Sequence, residues 1–340
     1  MNFARRCALA LAALLTLSAP AAAQSLTKVN LVLNFAADGG STGFYHALER
    51  GYFREAGLDV TIEPSKGSAD AITRTASQAS DLGVGDIATL TEFASRRPEI
   101  APKAVFILHN RTPSSVISLK SSGITKLTDL YGRVLGQGPA DAPSRTFAAV
   151  AALNNLDMSR ITIKQFSPQL RDTMLVTKQV DAVTGFDSTT LLVLKANGMA
   201  IEDANVLSYG DLGFDVYGNA FLANPAFLAA NPEAVRGFVR AASRGWRDAM
   251  ADPKAGIASL MKHNTLAKPD IEEGRFLWLA THQILTPTTR KEGIGAYDRS
   301  RLAKNLEQVA KAFALARTPD VADIYDDRFL PPQAERMPLN

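Results

Sequence analysis

The chain has 340 residues, 37 of them basic and 34 acidic, and a single cysteine, Cys7. That near-balance of charge argues against nucleic acid or an anionic membrane as a partner, since both usually leave a basic patch. One cysteine excludes a disulfide framework, and four scattered histidines without HExxH spacing argue against a metal centre.

In chain order, the first feature is a leader. Arg5 and Arg6 precede an apolar run from Cys7 to Leu17, and Ala21-Ala22-Ala23 before Gln24 has the small-residue form that signal peptidase accepts. A run of roughly 11 residues is too short to span a bilayer, where about 20 are needed, so the expectation is an exported protein with a signal peptide at 1–23. Loss of Arg5 and Arg6 leaves 35 basic against 34 acidic residues, a net charge of +1, and no cysteine for nucleophilic chemistry. The remaining chain, about 316 residues, is more than one compact core usually holds and fits two lobes.

From Ser25 onward, short β-rich runs alternate with helical segments, the pattern of an α/β protein with largely parallel sheets. Strands are expected at 29–35, 60–63, 81–84, 105–110, 115–119, 134–136, 161–166, 181–184, 206–209 and 217–223. Helices are expected between most of them, at 43–51, 69–80, 87–95, 125–130, 144–154, 170–177 and 188–197. After Asn224 the strands stop. Pro232 behind Asn231 opens a helix to about Met250, which Pro253 follows, and further helices are expected at 269–284, 299–316 and 321–328. In 299–316, Leu302, Leu306, Val309 and Phe313 recur at three- and four-residue steps, one apolar face to pack on a lobe. Trp246 and Trp278 read as core residues of the tail.

Two βαβ sets followed by one strand and a helical tail imply that the chain returns to its first lobe. The expected division is 24–111 with 217–340 for lobe 1 and 112–216 for lobe 2, joined by two crossings that make a hinge. A ligand would sit between the lobes, where strand C-termini and helix N-termini converge.

Candidate binding residues follow from that topology. Asn34 and Phe35 end the first strand and run into Asp38-Gly39-Gly40-Ser41-Thr42-Gly43, where glycines admit close backbone approach and a helix start offers free N–H groups; Ser41 or Thr42 as a simple N-cap is the structural alternative. Phe44 and Tyr45 open that helix. Ser65-Lys66-Gly67-Ser68, Gly85-Asp86 and the turn from Gly136 to Ser144 hold the same place after later strands; the last lacks both the GxGxxG and the P-loop spacing. Asp187 ends another strand and is equally an N-cap or an acceptor for ring N–H donors, whereas Lys66 and Arg145 suit a carboxylate, sulfonate or phosphate. Tyr217 and Asn219 lie on the returning strand. No GxSxG elbow is present.

Leu31-Val32-Leu33-Asn34-Phe35, Thr42-Gly43-Phe44-Tyr45-His46-Ala47, Gly51-Tyr52-Phe53 and Glu55-Ala56-Gly57-Leu58-Asp59-Val60 together resemble the opening of the solute-binding proteins of ABC importers for thiamine pyrimidine precursors, riboflavin, sulfonates and nitrate. Lys66-Gly67-Ser68, Asp81-Leu82-Gly83-Val84, Leu127 to Gly132, Gln179 to Val183 and Asn231 to Val235 continue the likeness along the whole mature chain. Tyr217-Gly218-Asn219 and Gly245-Trp246 are similar to the thiamine-precursor branch, which commonly has tryptophan at Phe35 and histidine at Ser41. A related eukaryotic group consumes its own histidine and uses cysteines to make the pyrimidine; here neither the histidine nor a mature cysteine is present.

The resemblance implies a two-lobed periplasmic-binding-protein fold of type II, an α/β architecture with two parallel-type sheets and a hinge of two crossings. It implies a monomer in the periplasm that needs no cofactor or metal and serves an ABC permease and its ATPase. Phe35, Phe44, Tyr45 and Tyr217 would make apolar contact; Asn34, Ser41, Lys66, Ser68, Asp86, Ser144, Asp187 and Asn219 would orient a small ligand. A nitrogen heterocycle such as a thiamine-precursor pyrimidine is the preferred ligand. A sulfonate, nitrate or aromatic carboxylate is the alternative, and an exported α/β enzyme is the rival of another class.

Overall fold

The computed structural model describes residues 26–339, so the leader at 1–23, with Cys7, lies outside the described residues. Among these residues ten strands form two five-stranded sheets. They are β1 (Thr27–Val32), β2 (Leu58–Glu63), β3 (Leu82–Asp86), β4 (Lys103–Ile107), β5 (Ser114–Leu119), β6 (Val134–Gln137), β7 (Thr162–Gln165), β8 (Ala182–Phe186), β9 (Ala204–Ser208) and β10 (Asn219–Ala223). The orders are β2-β1-β3-β10-β4 and β7-β6-β8-β5-β9. Every residue of β3, β5 and β10 is buried, as expected of strands covered on both faces, which is why their sequences show no polar alternation.

The sheets are mixed rather than parallel throughout. β10 runs antiparallel to both β3 and β4, and β5 antiparallel to both β8 and β9. Each is the first strand laid down after the chain crosses between lobes, and it enters its sheet from the hinge side, against the direction of its neighbours. Residues 108–113 and 209–218 are the two crossings. They pair directly: the N–H groups of Leu108 and His109 both donate to the Asn219 carbonyl, at 2.9 and 3.0 Å, and Gly218 N–H donates to the His109 carbonyl at 3.0 Å.

Ten helices have eight or more residues among those described. Six connect strands: α1 (Thr42–Glu49), α2 (Ser68–Ala76), α3 (Ile87–Arg96), α4 (Ala142–Leu153), α5 (Pro168–Val176) and α6 (Asp187–Ala196). Four form the tail: α7 (Pro232–Ala251), α8 (Pro253–Met261), α9 (Pro269–Leu279) and α10 (Arg299–Ala312). Pro253 therefore begins a helix instead of only following one. At the first helical position its missing N–H costs nothing, and Asp252 caps the new turn through Ala255 N–H at 3.1 Å. The stretch read as one helix from 269 to 284 is regular to Leu279 and then widens into a π-turn at Ala280–Ile284.

The tail does not serve one lobe alone. Leu302 and Leu306 of α10 pack in the core beneath β4 and β10, but Val309 packs in the second lobe's core with Val116, Leu135 and Phe147. Likewise α9 leans on α6, where a Cβ on Gly274 would stand 3.0 Å from Leu192. On lobe 1, α1 and α7 cross so closely that Gly43 and Gly245 are required by contact. A Cβ on Gly43 would fall 2.3 Å from the Trp246 ring, and one on Gly245 2.4 Å from the Gly43 carbonyl oxygen.

Candidate functional site

A cleft with about 660 Å³ of empty space, part of it open to solvent, lies between the sheets. Its first wall is built by the end of β1 and the following loop, with Asn34, Phe35, Asp38 and Gly40, and by Ser68 at the start of α2. Its second wall is built by the starts of α4, α5 and α6, with Asp141, Pro143, Pro168, Arg171 and Ser188, and by Phe186 at the end of β8. His109, from the first crossing, and Asn219, the first residue of β10, form the floor, and Arg275 and Leu279 of α9 enter from the tail. Outward the space continues past Gln169, Asn264 and Leu266; the last is 95% exposed at the mouth. The lobes touch beside the cleft, where Ala69 N–H donates to the Ala140 carbonyl at 3.3 Å, and Gly67, at φ +136°, leaves the space that Ala140 fills.

Both wall arginines are buried, and the protein itself supplies their counter-charges. Arg171 pairs with Asp141 and, through Nε at 3.0 Å, with Asp172, which also accepts from the Thr190 hydroxyl at 3.1 Å. Arg275 Nε pairs with Glu272 at 2.9 Å and lies 3.9 Å from Asp38, while its Nη1 donates to the Thr189 carbonyl across the cleft at 3.4 Å. Four carboxylates thus stand against two guanidiniums. Burial pushes the Asp38 and Asp141 carboxyls above their ordinary range, and Arg275 and Arg171 hold them down in opposition. The helix N-termini at the cleft would by themselves favour an anion. Here carboxylates already occupy two of those places, since Asp38 accepts from Gly40 N–H at 2.8 Å and Asp141 from Ser144 N–H at 3.0 Å.

The floor differs. Among the described residues, neither ring nitrogen of His109 has a hydrogen-bond partner, and neither does Oδ1 of Asn219, although the residues are only 3% and 2% exposed. Burial without a charged neighbour lowers the His109 pKa to about 3, so the ring is neutral, with one N–H donor and one bare acceptor nitrogen.

Of the residues named from the sequence, Asn34, Phe35, Ser68 and Asn219 line the cleft. The others lie elsewhere for identifiable reasons. Ser41 is tied into a capping turn with Asp38. Phe44 is a core residue, its ring 5.0 Å from Phe221 and edge-on to Trp246. Tyr45 stacks on His263 at 4.8 Å. Lys66 is exposed, and Arg145 is bound to Glu92 of α3 in an ion pair between the lobes. Asp86 caps α3 through the N–H groups of Ala88 and Thr89, at 3.0 and 3.1 Å, and burial raises its pKa to about 6. Ser144 Oγ accepts from Gly138 N–H and meets the Thr184 hydroxyl, each at 2.8 Å. Asp187 turns behind its helix, where both oxygens accept from Gln283 Nε2, at 3.2 and 3.1 Å; burial raises its pKa to about 6, against its hydrogen bonds. Tyr217 lies under Arg301, 4.2 Å from ring centroid to guanidinium, and accepts from Asp298 N–H.

Residues 39–256 match a family model described as NMT1/THI5 like. Among curated proteins, the riboflavin-binding protein RibY of Chloroflexus aurantiacus is 24% identical over 92% of this chain and 89% of its own length. The formylaminopyrimidine-binding protein of Halalkalibacterium halodurans is 25% identical over 74% and 75%. A 4-amino-5-hydroxymethyl-2-methylpyrimidine phosphate synthase of Legionella pneumophila is 21% identical over 92% and 96%. Among solved structures, the alkanesulfonate-binding protein SsuA of Xanthomonas axonopodis pv. citri, bound to MOPS, superposes with a TM-score of 0.66 at 16% identity, covering 88% of this chain and 98% of that one. The shared architecture is that of two-lobed periplasmic binding proteins.

Proposed function

The chain belongs to the NMT1/THI5-like family, and from that premise we propose that it is the exported solute-binding component of an ABC importer, taking a neutral, flat nitrogen heterocycle of the pyrimidine or flavin kind. The observation that carries this reading is the state of the cleft. Phe35 from one lobe and Phe186 from the other offer aromatic faces, while both buried guanidiniums are already met by carboxylates. A flat ring gains stacking contact there without disturbing the ion pairs, whereas an anion would have to displace a carboxylate from a buried arginine. The relatives named for binding riboflavin and formylaminopyrimidine support the same ligand class.

Function then consists of capture and hinge closure about the two crossings, with the closed form presented to a membrane permease and its ATPase from the periplasmic side. A sulfonate is the second reading, favoured by the helix starts and arginines at the cleft and by the SsuA likeness. A pyrimidine-forming enzyme is the rival from another class, given the synthase among the relatives.

The test is a thermal-shift and calorimetric panel of riboflavin, 4-amino-5-hydroxymethyl-2-methylpyrimidine, formylaminopyrimidine, MOPS and nitrate, on protein unfolded and refolded to remove carried-over ligand. A ligand at about 100 times its Kd adds about 2.7 kcal/mol, several degrees for a chain of this size. A shift with a heterocycle and none with anions supports the reading; a shift with anions alone overturns it. Recovery of the heterocycle chemically changed would establish the enzyme instead.

A further inference from the structure

Ten residues carry buried side-chain nitrogen or oxygen atoms without a partner among the described residues, and of these only His109 and Asn219 line the cleft. Polar atoms removed from water are ordinarily paired, and a fully enclosed pair without partners would be a persistent cost to the fold. These two residues are also held firmly. Their backbones are joined across the crossings by the convergent bonds on the Asn219 carbonyl and by Gly218 N–H to the His109 carbonyl. Gly218 leaves room for the histidine, since a Cβ there would lie 3.0 Å from the His109 Cβ and 3.1 Å from Pro113. No charged side chain among the described residues pairs with His109.

Resting on the heterocycle reading of this cleft, we propose that His109 and Asn219 act as one reading head for the ligand's polar edge, selecting rings that carry a hydrogen-bond donor beside an acceptor, as in an aminopyrimidine or a cyclic imide. The neutral imidazole presents either a donor or an acceptor according to its tautomer, and the amide of Asn219 presents the complement. An edge with both functions satisfies the pair at once. A tertiary amine or an N-alkylated imide supplies the acceptor but leaves one floor group orphaned. Because His109 lies on one crossing and Asn219 directly follows the other, the same ligand edge bridges the two segments about which the lobes move. Recognition and closure are therefore coupled at one place.

Calorimetry with two probe pairs tests this: 4-amino-2-methylpyrimidine against its 4-dimethylamino analogue, and riboflavin against 3-methylriboflavin. The wild-type protein is expected to bind one parent ring at least tenfold more tightly than its alkylated partner. His109→Phe should lose that preference and bind the parent at least tenfold more weakly, while melting at a higher temperature without ligand because an orphaned polar group has gone. A merely structural histidine would give the opposite stability change. His109→Gln, which keeps a donor and an acceptor, should retain part of the preference. If wild type and His109→Phe bind a parent ring equally, with the preference intact in both, the reading head is overturned while the heterocycle function stands. If wild type binds MOPS or nitrate and neither parent ring, the functional reading fails and this inference fails with it.

Discussion

On the walls of the cleft Arg171 and Arg275 each face two carboxylates, whereas on its floor the ring of His109 and Oδ1 of Asn219 face no partner among the described residues, although all four residues are buried. The difference separates polar groups that hold the protein together from those that can recognise something else. A satisfied ion pair is expensive to break and contributes little to an incoming ligand. An unsatisfied neutral group costs stability while the cleft is empty and returns it on binding. Substitutions of the paired wall charges should therefore change stability, and substitutions of the groups left free toward the ligand space should change affinity.

The largest effect is expected from Arg171→Leu. It strands Asp141 and Asp172 in a buried setting and should lower unfolding free energy by about 3–5 kcal/mol in urea titrations. A loss below 1 kcal/mol would erase the distinction between walls and floor.

Asp187→Asn sharpens it next. Folding raises the Asp187 pKa from 3.8 to about 6, so the folded state holds this proton where the unfolded chain has released it. Its stabilising contribution is fully present below pH 3.8 and is lost as pH rises through 6. Removing the titration should make the variant gain on wild type between pH 4 and pH 7 by up to roughly 3 kcal/mol, read from melting curves at each pH. Because Asp187 is engaged by Gln283 and lies outside the cleft lining, ligand affinity should stay unchanged; a strong loss for a heterocycle would return it to the site.

Phe35→Ala should behave in the opposite way. Its ring is half-buried at the cleft, so affinity for a flat ring should fall about tenfold, close to 1.4 kcal/mol, with a smaller change in stability. The smallest effect belongs to Lys66→Ala. Its side chain is exposed and outside the cleft lining, so stability and affinity should both move by less than about 0.5 kcal/mol.

The strand positions were legible because the strands are short apolar runs bounded by turns, and all ten lie within a few residues of their expected places, whereas the antiparallel sense of β5 and β10 left no mark in the sequence. The candidate site was legible only at sheet-strand boundaries, as at Asn34, Phe35 and Asn219, and at the one helix start where Ser68 faces the cleft. At a helix start, sequence gives the position along the axis but not the rotation about it. Ser188 and Thr189 line the cleft while Asp187, one residue earlier, turns behind it; Phe44 and Tyr45 point into lobe 1 for the same reason. The two wall arginines do leave a signal in the sequence. Arg275 shares a buried helix face with Ile271, Phe276 and Leu279, and Arg171 one with Pro168 and Leu175. A charge within an apolar stripe implies a buried counter-charge. For His109 there was only a polar residue closing the run from Val105 to Leu108, which reads equally well as the end of a strand.

The place of β10 has a consequence for the order in which the molecule is made. Among the described residues β4 has β10 as its only neighbouring strand, its other edge meeting a single bridge from Ala104 to Tyr325, and β10 begins more than one hundred residues later, after the whole of the second sheet. As the chain emerges, residues 114–208 can pair among themselves while β3 keeps an open edge and β4 stays unpaired. Closing that long loop is slow compared with the local pairings inside the second lobe. Lobe 1 is therefore begun first and finished last, and a chain halted before residue 219 would present two unprotected strands to any membrane machinery or chaperone that must keep it from folding or aggregating.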